Sequence, residues 1–162
     1  MKTSLLTPTF LLLSLAFCYG QGTDIRINDA VWTDDVNAQK HYTSKFQDTA
    51  PLGDLVIWMN ISGSQKTWDK LKTNSKIPIK YKWFKKTGVT WLPKGNLVPV
   101  DKLNLADSAL VKSLEQDLAN NGSFVWNTWC VKNQDDVRTG TWKVNVVNSK
   151  NKKLGEYKII VR

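Results

Sequence analysis

His41 is the only histidine in this chain, and Cys130 is the only cysteine besides Cys18. A nucleophilic thiol needs a neighbouring base, and a metal of the ordinary His/Cys type needs several converging ligands. Either chemistry would have to join His41, Cys130 and carboxylates from distant segments. Cys130 lies in an apolar run, which suits a buried, inert thiol. His41 lies in a polar stretch, which suits a surface loop. The chain holds no G-x-S-x-G elbow, no H-E-x-x-H pair, no phosphate-binding P-loop and no glycine-rich dinucleotide turn. Asp24, Asp29, Asp34 and Asp35, with Asn37, form the densest acidic group. Calcium loops take oxygens at alternate positions, and this spacing matches none, with Arg26 and Lys40 close by. These acids read as solvated loop residues. Asp101 and Glu115 would serve glycoside hydrolysis only if the fold set them in one cleft, which their spacing does not decide. No catalytic residue, metal or cofactor is therefore expected.

Binding chemistry is better represented. The chain has 8 tryptophans. Trp32, Trp58, Trp83, Trp126, Trp129 and Trp142 fall within strand patterns and suit a core. Trp68, among lysines, and Trp91, beside Leu92-Pro93-Lys94-Gly95, are the candidates for exposure. An exposed indole beside polar groups can stack on a sugar ring or anchor a partner. Lys70, Lys72, Lys76, Lys80, Lys82, Lys85 and Lys86 follow Asp69 without an intervening acid. Lys80 and Lys82 share one strand face. They suit an acidic polysaccharide, a lipid headgroup or an acidic protein. The competing explanation is that lysines on an edge strand deter sheet-to-sheet aggregation. Trp68, Trp91, Lys80 and Lys82 are thus the candidate ligand-binding residues. The net charge is +9, but Arg26, Arg138 and Arg162 are the only arginines. Nucleic-acid readers favour the arginine fork, so no nucleic-acid partner is expected.

The elements that would position these residues can be read from periodicity. Residues 1–20 read as a signal peptide: Lys2, then an apolar stretch over 11–17, then Cys18-Tyr19-Gly20 before a cut ahead of Gln21. The stretch is shorter than the ~20 residues of a membrane span. A lipid anchor at Cys18 competes, but Phe17 is bulky for the position before a lipidated cysteine. Export to the periplasm or the outside follows, with residues 21–162 as a single domain large enough for its own core. Cys130 would then be the one thiol left, so the fold rests on packing without an internal disulfide.

Residues 55–61 form an apolar run suited to a central strand covered on both faces. Residues 77–84 alternate, with Ile77, Ile79, Tyr81 and Trp83 against Lys80 and Lys82. Two short strands follow over 89–92 and 97–100. Residues 64–74 are polar, with Trp68 and Leu71 three apart, and allow one helical turn. Residues 105–120 carry a helical stripe of Leu110, Val111, Leu114 and Leu118, with Asn104 or Asp107 as cap and Asn121-Gly122 as stop. Strands follow over 123–131, 140–147 and 154–161. In the last hairpin Trp142, Val144 and Val146 oppose Lys143 and Asn145, the period of two of half-buried strands. Asn60 and Asn121 head glycosylation sequons, relevant only to a eukaryotic source. The expected fold is all-β, an immunoglobulin-like antiparallel β-sandwich with one inserted α-helix.

Tyr81-Lys82-Trp83 with its lysine-glycine turn, Thr128-Trp129-Cys130-Val131-Lys132 and Gly140-Thr141-Trp142-Lys143-Val144 together resemble an uncharacterised bacterial family of immunoglobulin-like sandwich domains. The resemblance spans about residues 29–161 and is tightest at Gly140, Trp142 and Val144. It implies a sandwich and carries over no activity. Where that family has a histidine this chain has Tyr81 or Lys82, and Cys130 stands at a serine position. Any role of that histidine is therefore missing here, and the helix over 105–120 would be an insertion. The sequence points to a non-enzymatic binding or accessory module of the cell envelope, facing an envelope protein or a glycan. The alternatives are a carbohydrate-binding module using an exposed tryptophan and a hydrolase whose site is not legible. The oligomeric state is not readable.

Overall fold

The unbroken apolar run near the middle of the chain becomes the strand that its composition predicts, flanked on both sides. In the computed structural model, residues 24–74, 76–96, 98–99 and 103–162 are described. The expected signal peptide lies outside them. The elements in order are β1 (Arg26–Thr33), β2 (Thr49–Ala50), β3 (Leu55–Ser64), α1 (Gln65–Asn74), β4 (Ile79–Thr87), β5 (Thr90–Pro93), β6 (Val98–Pro99), α2 (Ser108–Asn121), β7 (Ser123–Lys132), β8 (Gly140–Asn148) and β9 (Lys153–Val161). They make an all-β sandwich. A 3-stranded sheet runs β1-β3-β7, and a 6-stranded sheet runs β2-β9-β8-β4-β5 with β6 beside β4. Pairing is antiparallel except for β2, which lies parallel to β9.

The strands carry their expected alternation. In β4, Ile79, Tyr81 and Trp83 are buried, and in β8, Trp142, Val144 and Val146 are buried. These side chains meet the inner face of the smaller sheet: Trp32 of β1 packs on Trp83 with ring centroids 5.8 Å apart. Buried indoles need a partner for their N–H. Trp83 Nε1 donates to Cys130 Sγ (3.4 Å), Trp32 Nε1 to the Lys158 carbonyl (3.0 Å) and Trp142 Nε1 to the Arg138 carbonyl (2.7 Å). Trp58 lies apart from this cluster. The loop over 34–48 covers it, with Tyr42 edge-on at 5.0 Å and the Lys40 carbonyl accepting its N–H at 2.8 Å. Trp126 and Trp129, expected in the core, are only half-buried.

Among the described residues there are two helices, not one. The stripe over 105–120 is α2, capped by the Asp107 carboxylate on the Ala109 and Leu110 N–H groups and stopped by Gly122 at φ 70°. The polar stretch before Ile77 is a full helix, α1, rather than a single turn. Three of its residues, Thr67, Trp68 and Leu71, suffice to seat it on the core. Gly63, just before it, permits a close crossing: a Cβ there would stand 2.7 Å from the Phe124 ring.

Trp142 is fully buried and bonded through its N–H. Trp142→Ala is expected to cost about 3–5 kcal/mol in urea unfolding, through lost burial and a cavity. A loss under about 1 kcal/mol would mean that the site collapses around the gap.

Candidate binding face

Because β4 and β8 alternate, every inward aromatic on one side implies an outward residue on the other. The outer face of the larger sheet is therefore determined residue by residue. Register places Lys82 beside Asn145 and Asn145 beside Glu156. One step along, Pro93, Phe84, Lys143 and Lys158 form a row across β5, β4, β8 and β9. At the sheet's end, Lys86 pairs with Trp91.

Lys143 is the centre of this face. Its Nζ lies 4.5 Å from the Trp91 ring centroid and 5.1 Å from that of Phe84. It also donates to Glu156 Oε2 at 3.3 Å. Lys82 approaches the other part of Phe84, at 5.4 Å. Cations drawn over aromatic rings are stabilised by the ring quadrupole, which lets lysines crowd here at reduced cost. Glu156 also meets Lys158 at 3.3 Å and Lys153 at 3.5 Å. Partial burial pushes its carboxyl pKa up, but the hydrogen bonds from Lys143 and Lys158 and the nearby lysine charges outweigh this, leaving it below the ordinary value. The buried Oδ1 of Asn145, between Lys82 and Glu156, has no hydrogen-bond partner among the described residues. A cavity of about 410 Å³ opens at the Lys80 end, lined by Ile77, Pro78, Ile79 and Pro99.

Three of the four sequence candidates meet on this sheet: Lys80, Lys82 and Trp91. The fourth does not. Trp68 is 1% exposed and packs against Phe124 at 6.1 Å, so it offers no ring to a ligand. The lysines that surround it in sequence lie around the exposed side of α1, and Lys72 caps the indole from 5.9 Å. The aggregation-deterring explanation for Lys80 and Lys82 is also overturned. β4 is an interior strand, hydrogen-bonded to β8 on one side and to β5 and β6 on the other.

The catalytic candidates disperse. His41 is exposed on a loop, while Cys130 is buried beneath Trp83. Asp34 is engaged by its own loop: the Ser44 hydroxyl, together with those of Thr43 and Thr33, holds its carboxyl below the ordinary range against the opposing effect of burial. Glu115 is exposed on α2, and Asp101 lies outside the described residues. Among the described residues no group of three metal-ligating side chains converges. Phe84, Lys143, Glu156 and Lys158 are the face residues not singled out from sequence. The alternation in β8 and β9 marks them as outward, but their neighbours depend on pairing across the sheet.

No protein-family model matches the chain, and no curated protein matches it.

Because the folded Glu156 pKa is depressed, its contribution is present above the ordinary value of 4.5 and lost as pH falls through the folded value. Glu156→Gln is therefore expected to lower the thermal midpoint at pH 7, with the deficit closing as pH drops below about 4.5. A deficit that stays constant down to pH of about 3 would show that charge is not its source.

Proposed function

We propose that this protein is an exported, non-enzymatic binding module of the cell envelope that takes an anionic partner on the outer face of its larger sheet. One observation carries the reading. On the outward side, the strands of that sheet hold Lys80, Lys82, Lys86, Lys143, Lys153 and Lys158, and Glu156 is the only acid in any of those strands. The interior strands β4 and β8, which hold Lys80, Lys82, Lys86 and Lys143, need no such charge for protection, and like charges held on one surface weaken a fold. A concentration of lysine there is best explained by what it attracts.

Aromatic rings within the field add a second kind of contact. Trp91 and Phe84 offer apolar surface among ammonium groups, which suits a partner with anionic groups on a partly apolar frame. None of the three arginines lies in a strand of this sheet, which argues against nucleic-acid readout. Export rests on the leader-like residues 1–20. Among the described residues no helix is long and apolar enough to cross a membrane. Kinship with the bacterial immunoglobulin-like family is part of this proposal, supported by the Gly140-Thr141-Trp142-Lys143-Val144 strand, which supplies both the buried Trp142 and the outward Lys143.

Lys80→Glu/Lys82→Glu is expected to weaken binding to a soluble acidic polysaccharide such as polygalacturonate about tenfold in titration calorimetry at low salt. Lys112→Glu/Lys70→Glu changes net charge equally but lies off the face, on α2 and α1, and is expected to weaken binding less than about twofold. Equal losses in both variants would reduce the attraction to net charge and overturn the assignment of the face.

A further inference from the structure

The β4–β5 hairpin carries apolar exposure that the fold does not require. Thr87 pairs with Thr90, so Gly88 and Val89 alone make the turn. Gly88 takes φ 58° while Val89 has no positive φ, the pattern of a type II′ turn with glycine first. The second position of such a turn is served well by Asn, Ser or Thr. Here it holds Val89, 95% exposed, the most exposed of the large apolar residues among those described. A lone exposed apolar residue calls for no explanation. Val89 is not alone. Leu92, 42% exposed, follows on the same hairpin, and Trp91 is half-buried beside it. Lys86 stands opposite Trp91, Lys94 follows β5, and Lys143 lies over the indole. No acid occurs between Asp69 and Asp101 in the sequence, though Asp135 and Asp136 of a neighbouring loop line a hollow with Lys94.

We propose that this hairpin is a wedge that enters the headgroup layer of an anionic lipid bilayer. Val89 goes deepest, Trp91 and Leu92 lie at the interface, and Lys86 and Lys94 meet the lipid phosphates. The inference rests on the reading of the lysine face as an anion-binding surface and names its partner. Geometry supports the wedge. Val89 is two residues beyond Trp91, which is level with Lys86, so the tip stands roughly 7 Å past that pair at strand rise, and interfacial segments bury their apolar side to roughly 5–10 Å. When Val89 reaches the acyl boundary, Lys86 and its neighbour Trp91 are level with the headgroups, where both residue types are favoured. The β4–β8 pairing stops at Lys85 and Trp142 while the hairpin runs on to Thr87 and Thr90, so its tip stands beyond the paired part of β8. A soluble polysaccharide lying flat across the sheet would leave Val89 and Leu92 without a role. A bilayer uses both, and its negative surface draws the lysines toward it.

The test is flotation of the exported protein with vesicles of phosphatidylcholine alone or mixed with one quarter phosphatidylglycerol. Binding to the anionic vesicles is expected to exceed that to neutral ones about tenfold. Val89→Asn/Leu92→Thr should remove about tenfold of it, through lost apolar insertion. Both sites are exposed and Asn suits the turn, so the thermal midpoint should stay unchanged, and Val89→Asn alone serves as a second, milder probe. Anionic-vesicle binding that is insensitive to both variants, or that does not exceed neutral-vesicle binding, would overturn the wedge. If vesicles fail while polygalacturonate binding remains sensitive to Lys80→Glu/Lys82→Glu, the anion-binding face stands and the bilayer falls. If both fail, both readings fall.

Discussion

The sandwich depends on burying indole rings between two sheets with partners for their N–H groups. Trp32, Trp83 and Trp142 meet this condition, and Trp68, in α1, does not meet it among the described residues. A buried polar hydrogen without a partner costs about 1–3 kcal/mol, enough to offset much of what the ring contributes by burial. Trp83 solves this within the core through Cys130 of the facing sheet. Trp32 solves it by reaching the carbonyl of Lys158 on the opposite sheet. The second bond ties β1 to β9 and so clamps the sandwich at one side. These contacts also explain why a cysteine rather than another small residue suits position 130: its polarizable sulfur lies where an indole N–H arrives.

The same tryptophans determine the surface. Strand side chains alternate, and a slip of one residue would turn Trp83 and Trp142 to solvent while burying Lys82 and Lys143. The cost of that exchange holds register firmly. The outer face is consequently rigid, and Lys143 meets Phe84 and Trp91 from a backbone held by the core. A binding surface on such strands has its charges set in place before any partner arrives, which reduces the ordering cost of association.

The strand alternation was legible because it depends on period alone. β3, β4, β8 and β9 lie close to where their patterns place them, and α2 begins and ends on its cap and its glycine. What failed depended on distant pairing. Lys80 and Lys82 suggested an edge because local sequence does not reveal that β8, more than fifty residues later by roughly any count of the loop between them, pairs with β4. Trp68 suggested exposure because lysines surround it in sequence. In a helix, residues three apart share a face, so Trp68 and Leu71 turn inward together while the lysines turn outward. The short polar helix α1 was hidden for the same reason, since its seat on the core comes from packing rather than propensity.

The charge distribution poses the sharper physical question. Lys143, Lys153 and Lys158 share one carboxylate, Glu156. Exposed ion pairs contribute at most about 1 kcal/mol each, so Glu156 does not account for three lysines by itself. The aromatic rings of Phe84 and Trp91 supply further compensation for Lys143. Lys86 stands opposite Trp91 but joins no ion pair among the described residues, and it lies next to the hairpin tip, Val89. Charge is thus most compensated at the sheet's centre and least at the hairpin. Lys86 sets a positive charge without an ion pair among the described residues close to Val89, the most exposed large apolar side chain described. The two features separately are commonplace; together they describe a surface built to meet negative charge and apolar matter at once.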